Sequence, residues 1–167
     1  MKILFLISSL GAGGAERVAS TLCSAWAERH DEVTLISTYS ASEGEAFYSL
    51  HPAVKLIQLS ELILVKPNKG KNYWQRLRQL RKQIVENKPD LVISFLPNVN
   101  IAAILATSFT GVPCIISERS NPELQKLPWY WSLACRLMYR FADALTVQTQ
   151  HVSVSYTHLT LPTICSV

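Results

Sequence analysis

The chain has 167 residues, about the size of one domain. Hydrophobic residues make up 49% and charged residues 17%, which points to a packed core and excludes a disordered chain. A net charge of +4 is too small to imply nucleic acid without a concentrated patch, and no run reaches the roughly 18 apolar residues of a membrane-spanning helix.

The run KILFLIS at 2–8 reads as a buried strand, followed by a tight turn at 11–14. A secretory signal shares this pattern of one lysine, an apolar run and small residues. The periodic helix that follows favours the strand, and with it a cytoplasmic location. From 14 to 29, Ala15, Val18, Ala19, Leu22, Ala25 and Trp26 recur at helical spacing. Strands are expected at 32–38 (EVTLIST) and 54–59 (VKLIQL), then a helix at 73–86 and a strand at 90–95 (DLVISF). An apolar helix at 98–110 has Asn98 as its expected N-cap and Gly111 as its stop. A fifth strand at 112–117 (VPCIIS), a Trp- and Leu-rich helix at 127–141 and a sixth strand at 143–148 (DALTVQ) complete the series.

Apolar strands alternating with helices predict an α/β fold, a doubly wound and mostly parallel Rossmann-like sheet. Right-handed crossovers suit six strands in the order 3-2-1-4-5-6. Ligands then belong at the carboxyl ends of the first and fourth strands, at 8–16 and 96–100. Cys23, Cys114, Cys135 and Cys165 are scattered without metal-ligand spacing and read as buried thiols of a reducing compartment. The segment 152–167 (VSVSYTHLTLPTICSV) has no helical period. It resembles translated adaptor sequence, so a domain at 1–151 and a non-native tail at 152–167 are expected.

GAGGAER, from Gly11 to Arg17, joins a buried strand to a helix. Glycines let a ligand approach the backbone, and the helix start offers free N–H groups and a positive dipole end. Together these suit a phosphate or diphosphate. The same glycines also suit a turn that simply packs helix against sheet. A dinucleotide fingerprint fails, because Glu16 stands where the third glycine belongs and no acid ends the second strand. The GK[ST] of a P-loop is missing. The three aspartates, Asp31, Asp90 and Asp143, are far apart in sequence, so no metal site is expected.

The stretch ISSLGAGGAERVASTLCSAWAERHDEVTLIS (7–37) resembles the N-terminal domain of family 4 glycosyltransferases, which have the two-domain GT-B fold. The resemblance continues through PDLVISFLPNVNIAAILA (89–106), VPCIISERSNP (112–122) and RFADALTVQT (140–149). It implies a retaining, metal-independent transferase that moves a hexose or N-acetylhexosamine from a UDP-sugar to a lipid-linked glycan acceptor. No cofactor is implied beyond that nucleotide sugar. The donor is held mainly by a C-terminal domain, so this N-terminal fragment is expected to be inactive alone.

By the same resemblance, Gly13 and Gly14 face the diphosphate or the acceptor, with Glu16 and Arg17 in the first helical turn beside them. Plain helix capping and a solvated face are the alternatives for those two side chains. Arg119 is the expected catalytic cation, standing where relatives carry His or Arg. Arginine stays charged and cannot act as a base. Glu118 is either part of the catalytic site or support for Arg119. Asn98 and Asn121 are further binding candidates, with capping or turn roles as alternatives.

Between 66 and 82 the chain carries Lys66, Lys69, Lys71, Arg76, Arg78, Arg81 and Lys82 and no acid, and Trp74, Leu77, Leu80, Ile84 and Val85 supply an apolar side. A basic amphipathic helix can lie on an anionic membrane. Trp74, Arg76, Arg78, Arg81 and Lys82 are therefore expected to meet the inner face of the cytoplasmic membrane, making the protein peripheral. A solvated basic face on a packed helix is the alternative. Trp129, Tyr130 and Trp131 are either core or part of a lipid groove. A non-catalytic membrane-docking subunit of a split glycosyltransferase remains a rival function, and a nucleotide-binding oxidoreductase a weaker one.

Overall fold

The computed structural model describes residues 1–39, 46–62, 69–118, 128–147 and 164–166, with backbone only at 69–72, 129 and 164–166. Seven parallel strands form one sheet: β1 (Lys2–Ile7), β2 (Glu32–Ser37), β3 (Lys55–Gln58), β4 (Leu91–Phe95), β5 (Cys114–Glu118), β6 (Ala144–Val147) and β7 (Ile164–Ser166). Their spatial order is β3-β2-β1-β4-β5-β6-β7. The doubly wound Rossmann-like expectation holds. β7 is an addition: the tail contributes Ile164 opposite Leu145, on an edge where the sequence pattern ended.

Central strands are apolar on both sides because helices cover both faces. β1 and β2 are each buried at every position but the first. On one face, α1 (Gly14–Glu28) lays Ala19, Cys23 and Ala27 over Phe5, Ile7 and Leu35. On the other, α2 (Lys69–Asn87), α3 (Pro97–Thr107) and α4 (Trp129–Met138) share one core, including Leu80, Ile84, Ile104, Cys135 and Ile116. α3 is the middle helix of that layer and is apolar nearly all round, so it is buried nearly all round.

Helix ends depart from the sequence expectation for local reasons. Asn98 is not the cap of α3. The helix begins one residue earlier, at Pro97, whose missing N–H costs nothing in a first turn. Leu96 is the capping residue, held at φ 78°, and its carbonyl accepts from Val99 N at 3.1 Å and Asn100 N at 2.8 Å. α3 ends at Thr107 rather than 110, where Phe109 (φ 62°) and Gly111 (φ 75°) reverse the chain. α4 starts at Trp129, after Pro128, whose backbone is non-helical at φ −51° and ψ 142°. Its last turn tightens into a 3-10 turn at Tyr139–Phe141.

The three aspartates all serve the amino edge of the sheet. Asp90 Oδ2 accepts from Lys2 N at 2.7 Å, and Asp143 Oδ2 from Cys114 N at 2.7 Å. Asp31 holds the N-terminal ammonium at 2.9 Å. No aspartate is left for the carboxyl edge, where the loops after β1 and β4 meet.

Candidate functional site at the carboxyl edge

β1 and β4 are neighbours, and the chain leaves them in opposite directions. Their carboxyl ends therefore flank the crevice where an open α/β sheet binds ligands. β5 lies beside β4 and ends on Glu118 at the same rim.

At the first side of the crevice, Gly13 caps α1 with extended backbone (φ −127°, ψ 163°). Positive φ is not why glycine stands there. A Cβ on Gly13 would strike the Glu16 carboxylate, which folds back over the loop and accepts from Ser9 Oγ at 2.9 Å. So the space beside Gly13 already holds an anion of the chain's own, at the positive end of the helix. Beside Gly11 and Gly14 a Cβ would meet nothing within 4 Å. The amides of Gly14, Ala15 and Glu16 precede the first intrahelical bond, Arg17 N to Gly13 O at 3.0 Å. Arg17 is exposed and lines a groove of about 500 Å³ between α1 and residues 48–51, together with Ser20, Ser24, Tyr48 and His51.

The second side is closed by a buried polar network. Asn100 Oδ1 accepts from Ser94 Oγ at 2.7 Å, and its Nδ2 donates to Ser117 O at 3.1 Å and to Tyr139 Oη at 3.2 Å. Tyr139 Oη donates to Glu118 Oε2 at 2.9 Å. Ser94, Asn100 and Tyr139 are fully buried, and Glu118 is 3% exposed. Burial, and then the charge of Glu118, push the Tyr139 hydroxyl well above its usual range, so it stays a donor. The network ties the ends of β4 and β5 to α3 and the turn after α4. Glu118 therefore faces the protein interior. Asn98 is half-buried in the first turn of α3.

Sequence reasoning missed Ser94, Asn100 and Tyr139. The usable signal was Asn100 itself. A polar side chain in a helix apolar all round has to be buried, and a buried amide must find partners. Arg119 and Asn121 lie outside the described residues, as do Lys66 and most of the 152–167 tail.

The basic helix divides its cations. Trp74 (69% exposed), Arg78, Lys82 and Val85 form one exposed line at 4-, 4- and 3-residue steps. Arg81 turns inward, where its Nη1 donates to Ala106 O at 3.2 Å and Ser108 O at 2.8 Å at the end of α3. Arg76 stacks its guanidinium 4.5 Å from the centre of the Tyr39 ring, near Thr38 and Leu59 past the ends of β2 and β3. Those two arginines serve packing in this structure, not an outer surface. Among the described residues no helix is long and apolar enough to cross a membrane.

Comparison with known proteins agrees with this fold. Two solved structures share the fold while being remote in sequence. Sucrose-phosphate synthase from Thermosynechococcus elongatus superposes with a TM-score of 0.77 at 11% identity, over 99% of this chain and 47% of that one. Anabaena HepE in complex with UDP gives 0.67 at 14% identity, over 100% and 43%. In sequence, the chain is 39% identical over 157 residues to a Campylobacter jejuni enzyme. That enzyme is named GalNAc-alpha-(1->4)-GalNAc-alpha-(1->3)-diNAcBac-PP-undecaprenol alpha-1,4-N-acetyl-D-galactosaminyltransferase. The alignment takes in 93% of this chain but 42% of the relative, so the chain spans less than half that length. The family profile named Glycosyltransferase Family 4 matches residues 12–162, from the glycine loop after β1 through β6 and beyond. The chain belongs to glycosyltransferase family 4.

Proposed function

We propose that this chain is the acceptor-side half of a retaining, metal-independent glycosyltransferase. It would act with a UDP-sugar donor, a hexose or N-acetylhexosamine, on a glycan carried by a lipid diphosphate. The observation that carries the reading is the two-sided crevice at the carboxyl edge, open at the α1 glycine loop and walled by the Asn100 network. The Campylobacter relative's name supports the acceptor class, since it specifies an undecaprenol diphosphate. The UDP in the HepE complex supports the nucleotide.

In this reading the protein works by positioning and by fixed charge, and the leaving diphosphate assists the acceptor hydroxyl. Glu16 sharpens what the loop receives. A carboxylate at the loop repels a diphosphate and accepts from a hydroxyl, so the loop in this form suits a sugar hydroxyl of the acceptor. Arg17 and Arg119 are the cations assigned to phosphate oxygens or transition-state charge. Glu118, held by its bond from Tyr139, fixes the end of β5 immediately before Arg119 in sequence. Asn98, in the first turn of α3, would meet the acceptor, and Asn121 is assigned to it as well. The exposed line Trp74, Arg78 and Lys82 would rest on the cytoplasmic membrane, keeping the protein peripheral beside its lipid-linked substrate.

The donor half lies outside these residues in this reading. The purified chain should therefore release no UDP from UDP-N-acetylgalactosamine or UDP-glucose. Turnover by the chain alone would overturn that division of labour. Acceptor binding is tested by amide NMR with a short-chain prenyl-diphosphate N-acetylhexosamine. Shifts at Gly11 and Gly14 are expected, and shifts confined to residues away from the carboxyl edge would sink the proposal.

A further inference from the structure

α1 has a polar side that the crevice does not use. Arg17, Ser20, Thr21, Ser24 and Glu28 recur at three- and four-residue steps and line the groove against residues 48–51. Arg17 and Glu28 stand about 16 Å apart along the helix axis, so the groove leads from the carboxyl edge of the sheet toward the amino edge. Its far wall is fixed. Phe47 N donates to Leu10 O at 3.0 Å, and His51 N donates to Ser24 Oγ at 3.0 Å. At about 500 Å³ the groove has the size of a small-molecule site.

One side chain in it is unsatisfied. A serine or threonine inside a helix can bond the carbonyl one turn back. Thr21 does so, donating to Arg17 O at 2.9 Å. Ser20 is 4% exposed and lines the groove, and its hydroxyl has no partner among the described residues. A hydroxyl buried to that degree ordinarily has one, so Ser20 keeps a donor and an acceptor for a ligand.

The neighbouring groups define what that ligand is. Ser24 Oγ accepts from His51 N and retains its hydrogen, while Thr21 has donated its hydrogen and retains an acceptor. His51 Nδ1 accepts from Ala53 N at 3.2 Å, which leaves the ring proton on Nε2. Donors and acceptors are thus mixed along the groove, as they are on a polyol, where every hydroxyl does both. Arg17 and Glu28 cancel in charge, which favours a neutral ligand over a polyphosphate. Tyr48, packed edge-on by Phe47 with ring centres 5.0 Å apart, supplies an aromatic surface for the C–H side of a sugar ring. A peptide would need apolar pockets for its side chains, and Ala25 and Leu50 supply little of that.

We infer that this groove is a binding site for a short neutral oligosaccharide, separate from the crevice. The binding does not depend on the acceptor reading of the crevice. Its use beside that crevice is to hold sugar units already joined, clear of the reacting end.

The test is amide NMR of the 167-residue chain titrated with neutral trisaccharides of glucose, N-acetylglucosamine and N-acetylgalactosamine, with trialanine as the peptide control. At least one trisaccharide should give saturable shifts at Ser20, Ser24 and His51, with an affinity insensitive to salt. Ser20→Ala should weaken that binding about fivefold while the urea midpoint stays or rises, because no internal bond is lost. Ala25→Trp, at an exposed position, should fill the groove and abolish binding with circular dichroism unchanged. Saturation by trialanine and by no sugar would make this a peptide groove and overturn the inference. Sugar shifts confined to Gly11 and Gly14 would overturn it too, while leaving the proposed function standing. No saturable shift from any trisaccharide, or undiminished binding by either variant, would remove the site.

Discussion

Two helices start at the rim of the crevice, and they are built in opposite ways. α3 follows β4 through a strained Leu96, and its first turns are bolted down by Asn100, which holds Ser94, Ser117 and Tyr139 at once. α1 follows β1 through glycines, with open space beside Gly11 and Gly14 and one side-chain bond, Ser9 to Glu16. Under the proposed function, the difference divides the work. Catalysis by positioning needs a fixed reference, which a fully satisfied buried network provides. It also needs a surface that a substrate can displace, and a loop holding only its own carboxylate provides that.

At neutral pH the largest effect should come from removing the fixed side. Asn100→Ala deletes three hydrogen bonds and leaves buried partners unpaired, so unfolding in urea should show a loss of about 3 kcal/mol. Ser94→Ala removes one bond and should cost about 1 kcal/mol. A loss below about 1 kcal/mol for Asn100→Ala would mean that apolar packing alone holds the wall.

A next test compares the two sides through their thiols. Cys23 is on the buried face of α1, and Cys114 opens β5 in the core shared with α3. Burial pushes each thiol from 9.0 up to about 12. Below pH 9 both thiols are protonated whether the chain is folded or not. Above it the unfolded chain loses these protons first. Stability should then fall by about 1.4 kcal/mol per pH unit for each thiol, up to about pH 12. Tyr139 is raised as well and adds to the slope from about pH 10 upward. Urea unfolding of Cys23→Ala and Cys114→Ala across this range should show each variant with a shallower slope. A variant with the parent slope would place its thiol in contact with water.

Smaller still is the cost of crowding the yielding side. Gly13→Ala has an allowed backbone, but its methyl group displaces the Glu16 carboxylate and breaks the bond to Ser9. About 1 kcal/mol of stability should be lost. In a Glu16→Ala background the same change should cost almost nothing, since the obstructing group is gone. An equal cost in both backgrounds would show that Gly13 is needed for some other reason, and the account of the loop would have to change.

How much of this was written in the chain depended on how local the cause was. β1 and β2 could be read because a strand buried on both faces must be continuously apolar. Right-handed crossovers suited the order of the first six strands without dictating it, and β7 lay outside that pattern. α1 could be read from its apolar spacing and the glycines before it. Gly13 was legible as a special position but not in its cause, because the group that fills its space is a side chain three residues on. Glu118 read as a candidate for chemistry because it ends β5. Its burial depends on Tyr139, 21 residues later, and no sequence period links the two. Arg76 and Arg81 read as one surface with Arg78 and Lys82. Only the packing of α2 on α3 and on Tyr39 separates them.

The smallest effect on folding should come from the outer side of α2, which lies on the wall without forming part of it. Lys82 Nζ is 3.7 Å from Glu86 Oε1, one turn away, and both side chains are more than half exposed. Such a pair contributes within about 0.5 kcal/mol, so Glu86→Gln should leave the urea midpoint almost unmoved. The same change removes a negative charge next to the exposed line of Trp74, Arg78 and Lys82, and a unit of charge at an anionic membrane is worth about fivefold in binding. Partitioning onto phosphatidylglycerol vesicles should rise by about that factor. If stability fell instead, α2 would be part of the fixed wall. If neither quantity moved, its outer face would not meet lipid, and the contrast between a rigid interior and a working surface would have to be drawn at the α1 loop alone.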